Sequence, residues 1–123
     1  MLKQKEEALV RRAKEMIRLK HEYRKVFEKI RKLAKQIGCE AYLYGSTVTG
    51  KSISASDIDI LVVCEKLPPS MMERAKIKAW LEEKANLPPI HPYHIELVTK
   101  EYAKYYLKTI SYKNHSSKEL KQK

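Results

Sequence analysis

Two aspartates one residue apart, Asp57 and Asp59, precede the apolar run Ile60-Leu-Val-Val-Cys64, and Glu96 interrupts a second one in the stretch His94-Ile-Glu-Leu-Val98. In an extended chain, side chains two positions apart share a face. Asp57 and Asp59 therefore project together, while Ile58 and Ile60 point the other way. Neighbouring carboxylates on a half-buried strand repel one another and are costly to desolvate. A divalent cation removes that cost. If the strand carrying Glu96 lies beside the strand carrying the aspartates, three carboxylates converge. That donor set suits two magnesium ions, which activate an attacking hydroxyl and stabilise a leaving phosphate.

Just upstream, Gly45 to Ser52 reads GSTVTGKS and fits the pattern G-x-x-x-x-G-K-[ST] of a phosphate loop. Such a loop works because a long helix begins at its Lys-Ser/Thr and directs its N-terminus at the phosphates. Here Lys51 is followed by SISASD and then directly by the strand, with no helix-forming pattern. The loop is better read through Gly45 and Ser46 alone. Gly45 at a strand end lets backbone approach a ligand closely. Ser46 and the next residues can begin a short turn whose N–H groups point at phosphate oxygens, with Gly50 ending it. Lys51 adds a positive charge to the same loop.

The surrounding pattern supplies the scaffold. Leu9, Ala13, Met16, Tyr23, Val26, Ile30, Leu33 and Ile37 recur at steps of three, four or seven, the stripe of an amphipathic helix, and Gly38 is placed to end it. Neither Gly nor Pro interrupts residues 2–37. Unbroken, that helix would extend about 54 Å, against a radius of gyration of about 14 Å for a compact domain of this length. It must kink, or its first turns must project and seek a partner such as a second copy. Strands are expected at 41–44, 58–64 and 93–99. Ser70 caps a helix reaching about Asn86, with Met72, Ala75, Ala79 and Trp80 inward and Met71 also assigned to the core. A further helix covers 101–110. The fold class is α/β (α+β), a small mixed sheet of three to four strands with helices against it. Residues 1–110 form one domain, 1–37 being a long basic helix, and 111–123 a basic flexible tail.

Taken together, Gly45-Ser46, the Asp57-x-Asp59 pair ten residues on, and Glu96 in a later apolar strand resemble the DNA polymerase beta-type nucleotidyltransferase superfamily. Spacing and size are most similar to its minimal nucleotidyltransferases, over about residues 25–100. The resemblance implies that Asp57 and Asp59 bind two Mg²⁺ ions, that Glu96 serves the metal activating the acceptor hydroxyl, and that Gly45, Ser46 and Lys51 hold the triphosphate. It implies transfer of a nucleoside monophosphate from an NTP such as ATP, with release of pyrophosphate. Many minimal members carry Arg just before the second glycine of the loop, where this chain has Thr49. The resemblance also implies a partner: a helical protein of the HEPN type, often an RNase toxin, with the transferase acting as antitoxin by adding AMP to a toxin tyrosine. RNA or a small molecule as acceptor is a second expectation, and a non-catalytic nucleotide-binding module a third.

Composition bounds these readings. The 123 residues carry a net charge of +11, distributed as +8 over residues 1–37, −2 over 38–103 and +5 over 104–123. Two basic arms around an acidic centre would suit RNA or an acidic protein. The longest apolar run is five residues, far short of a membrane span. With no apolar signal core at the N-terminus, the expected location is cytoplasmic. Cys39 and Cys64, the only cysteines, are expected as free thiols in a reducing compartment. His91 and His94 have zinc-like H-x-x-H spacing but no nearby cysteine, and read as loop and strand histidines. His94 shares the Glu96 face, where it could touch a metal ligand.

Overall fold

The computed structural model describes residues 2–44 and 57–110. Two helices open the chain, α1 (Leu2–His21) and α2 (Tyr23–Gln36), followed by β1 (Cys39–Tyr44), β2 (Ile58–Cys64), α3 (Met71–Lys84), β3 (Tyr93–Thr99) and α4 (Lys100–Ile110). The expected α+β fold with a long N-terminal helix is present. The sheet has three strands in the order β1-β2-β3, with β1 antiparallel and β3 parallel to β2. Among the described residues no helix is long and apolar enough to cross a membrane. The segment 111–123, read above as a tail, lies outside them.

The N-terminal stripe folds as two helices separated by one residue, Glu22 (φ −93°, ψ 21°). Backbone bonds from Glu22 N–H to Arg18 (3.0 Å) and from Val26 N–H to Glu22 (3.1 Å) carry the ladder past it. The carbonyl of Leu19, which an uninterrupted helix would offer to the N–H of Tyr23, accepts the hydroxyl of Tyr93 from β3. Beyond this junction α2 buries Val26, Phe27, Ile30 and Ala34. Gly38 then adopts φ +79°, and its N–H bonds the Lys35 carbonyl, so the helix ends where its glycine permits the left-handed turn.

Alternation divides the sheet into two faces. Ile58, Ile60, Val62 and Cys64 lie with Ala41 and Ile95 in the main core beneath α2 and α3. Full burial of each large aliphatic there is worth about 1.5–3 kcal/mol. On the opposite face Tyr42, Leu61, Val63 and Val98 pack with Ala103 of α4 in a smaller cluster. Among the described residues, this second face is thus covered at one end only.

Two expectations are corrected here. The cysteines are not free: Cys39 and Cys64 form a disulfide. They are direct partners in the β1/β2 register and both are buried, which brings their sulfurs together in the core. In α3, Ser70 caps the helix through the Glu73 N–H as expected, but the inward face differs. Leu81 is fully buried and Ile77 and Trp80 pack beside it, whereas Met71 and Met72 are 81% and 72% exposed and Ala75 and Ala79 face solvent. The helix bears apolar residues around its whole circumference, and contact with the sheet selects the Ile77-Leu81 side.

Candidate active site

The sheet register places the chemistry on the uncovered end of the second face. Asp59 lies directly across from Tyr44 of β1 and from His94 of β3, and Glu96 pairs one step further along with Leu61. Since Asp59 and His94 are opposite in adjacent parallel strands, Glu96 lies diagonally from Asp59 on the same face. The start of the two strands is fixed by an Ile58 N–H bond to the Pro92 carbonyl at 2.9 Å. His91 secures the approach to β3: its Nδ1 accepts the Tyr93 N–H at 3.1 Å, which leaves Nε2 protonated to donate to Glu82 at 2.9 Å.

His94 joins the two carboxylates. Its Nδ1 lies 3.2 Å from Asp59 Oδ1 and its Nε2 lies 3.6 Å from Glu96 Oε1. The three side chains are accessible, at 29% exposure for Asp59, 38% for Glu96 and 51% for His94. The structure therefore brings Asp59 and Glu96 to one open surface, as their alternation implied. Asp57 stands exposed at the residue before β2. Gly45, Ser46 and Lys51 lie outside the described residues. His91 and His94 serve different partners and share no site. Tyr93, a strand tyrosine, sits in the main core.

Among the described residues no three His, Cys, Asp or Glu side chains converge closely enough to hold a metal ion by themselves. Asp59 and Glu96 are oxygen donors on one face, of the type that holds a divalent cation together with water and phosphate oxygens, the usual habit of Mg²⁺ in phosphoryl and nucleotidyl transfer. His94 is the residue that sequence reasoning undervalued. Alternation put it on the correct face, but its position between the carboxylates follows from the β2/β3 register.

The domain is thus an α+β fold whose small mixed sheet presents acidic side chains from neighbouring strands on one face. Residues 23–118 match the family model described as a nucleotidyltransferase domain. The chain belongs to this family, within the polymerase beta-type nucleotidyltransferase superfamily. Neither curated proteins nor solved structures give a significant match.

Proposed function

We propose that this protein transfers a nucleoside monophosphate, AMP from ATP, to an acceptor hydroxyl. The observation that carries this reading is the placement of Asp59 and Glu96 on one face of neighbouring strands within a nucleotidyltransferase domain. Asp57 and Asp59 hold the divalent cations, Mg²⁺ in the first instance, and Glu96 assists on the acceptor side. Gly45, Ser46 and Lys51 hold the triphosphate. When bound, the cations would neutralise charge on the phosphates and make the acceptor hydroxyl more acidic. The acceptor oxygen forms a bond to the α-phosphorus and the bond to the bridging oxygen breaks. Pyrophosphate leaves, and the acceptor proton passes to a carboxylate of the site.

The acceptor we favour is a tyrosine on a HEPN-type helical protein, with the transferase as antitoxin. Much of α1 is exposed surface that a partner could cover. A second reading, transfer to RNA, is favoured by the basic arms of +8 and +5. Labelled ATP with Mg²⁺, a HEPN-type helical protein and bulk RNA distinguishes them. A mass gain of whole AMP units on the protein, with pyrophosphate released, supports the first reading. Equally fast labelling of RNA without the partner supports the second. Bound Mg·ATP with no acceptor labelled would point to a non-catalytic module. Asp59→Asn should lower turnover by about a hundredfold or more, on the scale of losing one transition-state charge contact.

A further inference from the structure

Leu19 fastens one side of α1 to the core, and the Tyr93 hydroxyl bonds the Leu19 carbonyl. Turned away from that side, Leu9, Val10, Ala13, Met16 and Ile17 form an apolar stripe about 120° wide at 3.6 residues per turn. Leu9, Val10 and Ile17 are each more than half exposed. The charges along both edges of the stripe are positive. Lys5 and Arg12 stand one turn before Leu9 and Met16 on one edge, and Lys3 and Lys14 follow the other edge beside Val10 and Ile17. Among the described residues none of these four cations forms an ion pair. Arg18, on the opposite side of the helix, takes up Glu15 at 2.7 Å and Glu22 at 3.0 Å.

We propose that this face of α1 docks an acidic helical partner, one whose own apolar stripe is bordered by Glu or Asp. Apolar side chains would close over Leu9, Val10 and Ile17. Partner carboxylates would meet Lys5 and Arg12 on one edge and Lys3 and Lys14 on the other, as flanking charges select partners in paired helices. A second copy is disfavoured: α1 carries seven Lys/Arg against three Glu, so two copies would set like charge against like. A bilayer is disfavoured by Glu6, which lies on the stripe one turn before Val10, and by the lack of aromatic anchors there. Nucleic acid would use the cations but leave the aliphatic side chains in water. This docking needs neither ATP nor turnover, so it stands or falls apart from the transfer reaction.

The test is fluorescence anisotropy of the full chain with labelled synthetic peptides of about three heptads. One is a helix with Leu at its core positions and Glu beside them, the second has Lys in place of Glu, and the third is a scrambled version of the acidic one. The acidic helix should bind at least about tenfold more tightly than either control, and less tightly as salt is raised. Leu9→Gln/Ile17→Gln, which shrinks the stripe without adding charge, should weaken it by about tenfold or more. Lys5→Glu/Arg12→Glu/Lys14→Glu should reverse the preference towards the Lys helix, and it decides the matter if the glutamine pair does not fold by circular dichroism. No binding of the acidic helix, equal binding of its scrambled version, or unchanged binding by the folded variants would overturn the proposal. So would a wild-type dimer in sedimentation equilibrium that Leu9→Gln/Ile17→Gln dissolves, which would give the stripe to a second copy. Flotation with phosphatidylserine vesicles that the same pair abolishes, without peptide binding, would give it to a membrane surface instead.

Discussion

The hydroxyl of Tyr93 donates a hydrogen bond to the carbonyl oxygen of Leu19, joining the first residue of β3 to the last turn of α1 across 74 positions of sequence. Tyr93 is only 5% exposed. Burial, with the nearby Glu22 carboxylate adding to it and Arg18 opposing it, raises the phenol well above its ordinary value. This contact anchors α1 next to the strand that carries His94 and Glu96.

A raised folded-state value means that folding favours the neutral phenol. The corresponding stability is fully present below the unfolded value of about 10 and is lost as pH climbs above it towards the folded value. Tyr93→Phe should therefore cost about 1 kcal/mol at pH 7 through the lost hydrogen bond, and should flatten the decline of stability above pH 10. Urea unfolding of both proteins at pH 7 and at pH 10.5 checks this. Identical alkaline slopes would show that Tyr93 is not the group responsible.

The disulfide between Cys39 and Cys64, 25 positions apart, closes a loop that contains all of β1, the Gly45–Lys51 segment and both aspartates. It lies at one end of the β1/β2 pair, and the Tyr44–Asp59 pairing at the other. Restricting an unfolded loop of that length is worth about 3 kcal/mol. Thermal unfolding should accordingly shift to lower temperature with a thiol reductant, and the Cys39→Ala/Cys64→Ala variant should be insensitive to it. A wild-type midpoint that ignores the reductant would contradict the prediction.

Much of this architecture was legible because single residues punctuate it. Gly38 ends the helical stripe, Ser70 starts α3, and the β-branched runs at 58–64 and 93–99 have the boundaries expected of them. What failed depends on relations between elements. The inward side of α3 could not be read from a helix with apolar residues on every side, and it took the sheet to bury Leu81 rather than Ala75. The cysteine pair was misjudged from compartment arguments, because only the antiparallel register reveals Cys39 opposite Cys64. Likewise, alternation located Asp59 and Glu96, but only the parallel register inserts His94 between them.

The two motifs that overlap at Gly45–Ser52 make opposite demands on side chains. In a nucleotidyltransferase loop, Ser46→Ala should lose a phosphate hydrogen bond and about 1–2 kcal/mol of triphosphate binding, with Lys51→Ala and Ser52→Ala less harmful. In a phosphate loop the order reverses, since the lysine reaches the terminal phosphates and the following Ser the Mg²⁺. Titration of the three variants with a non-hydrolysable ATP analogue ranks them. Greater damage from Lys51→Ala and Ser52→Ala than from Ser46→Ala would reject the nucleotidyltransferase loop.

An exposed apolar stripe lies on α1, where Leu9, Val10 and Ile17 are 62%, 51% and 57% exposed. Of the described α1 side chains, Leu19, near the helix end, is the one in the core. Surface substitutions away from packed features change stability by no more than about 0.5 kcal/mol, so Leu9→Lys and Ile17→Lys should leave the unfolding free energy within that margin. If this stripe is where the helical partner docks, the same two changes should abolish complex formation and, with it, labelling of the partner by ATP. Size-exclusion chromatography of the mixture and intact-mass measurement follow the two effects separately. A loss of more than about 2 kcal/mol in the isolated protein would mean instead that the stripe packs against its own domain, on the scale of a damaged core position. Full stability with undiminished binding would place the docking surface elsewhere.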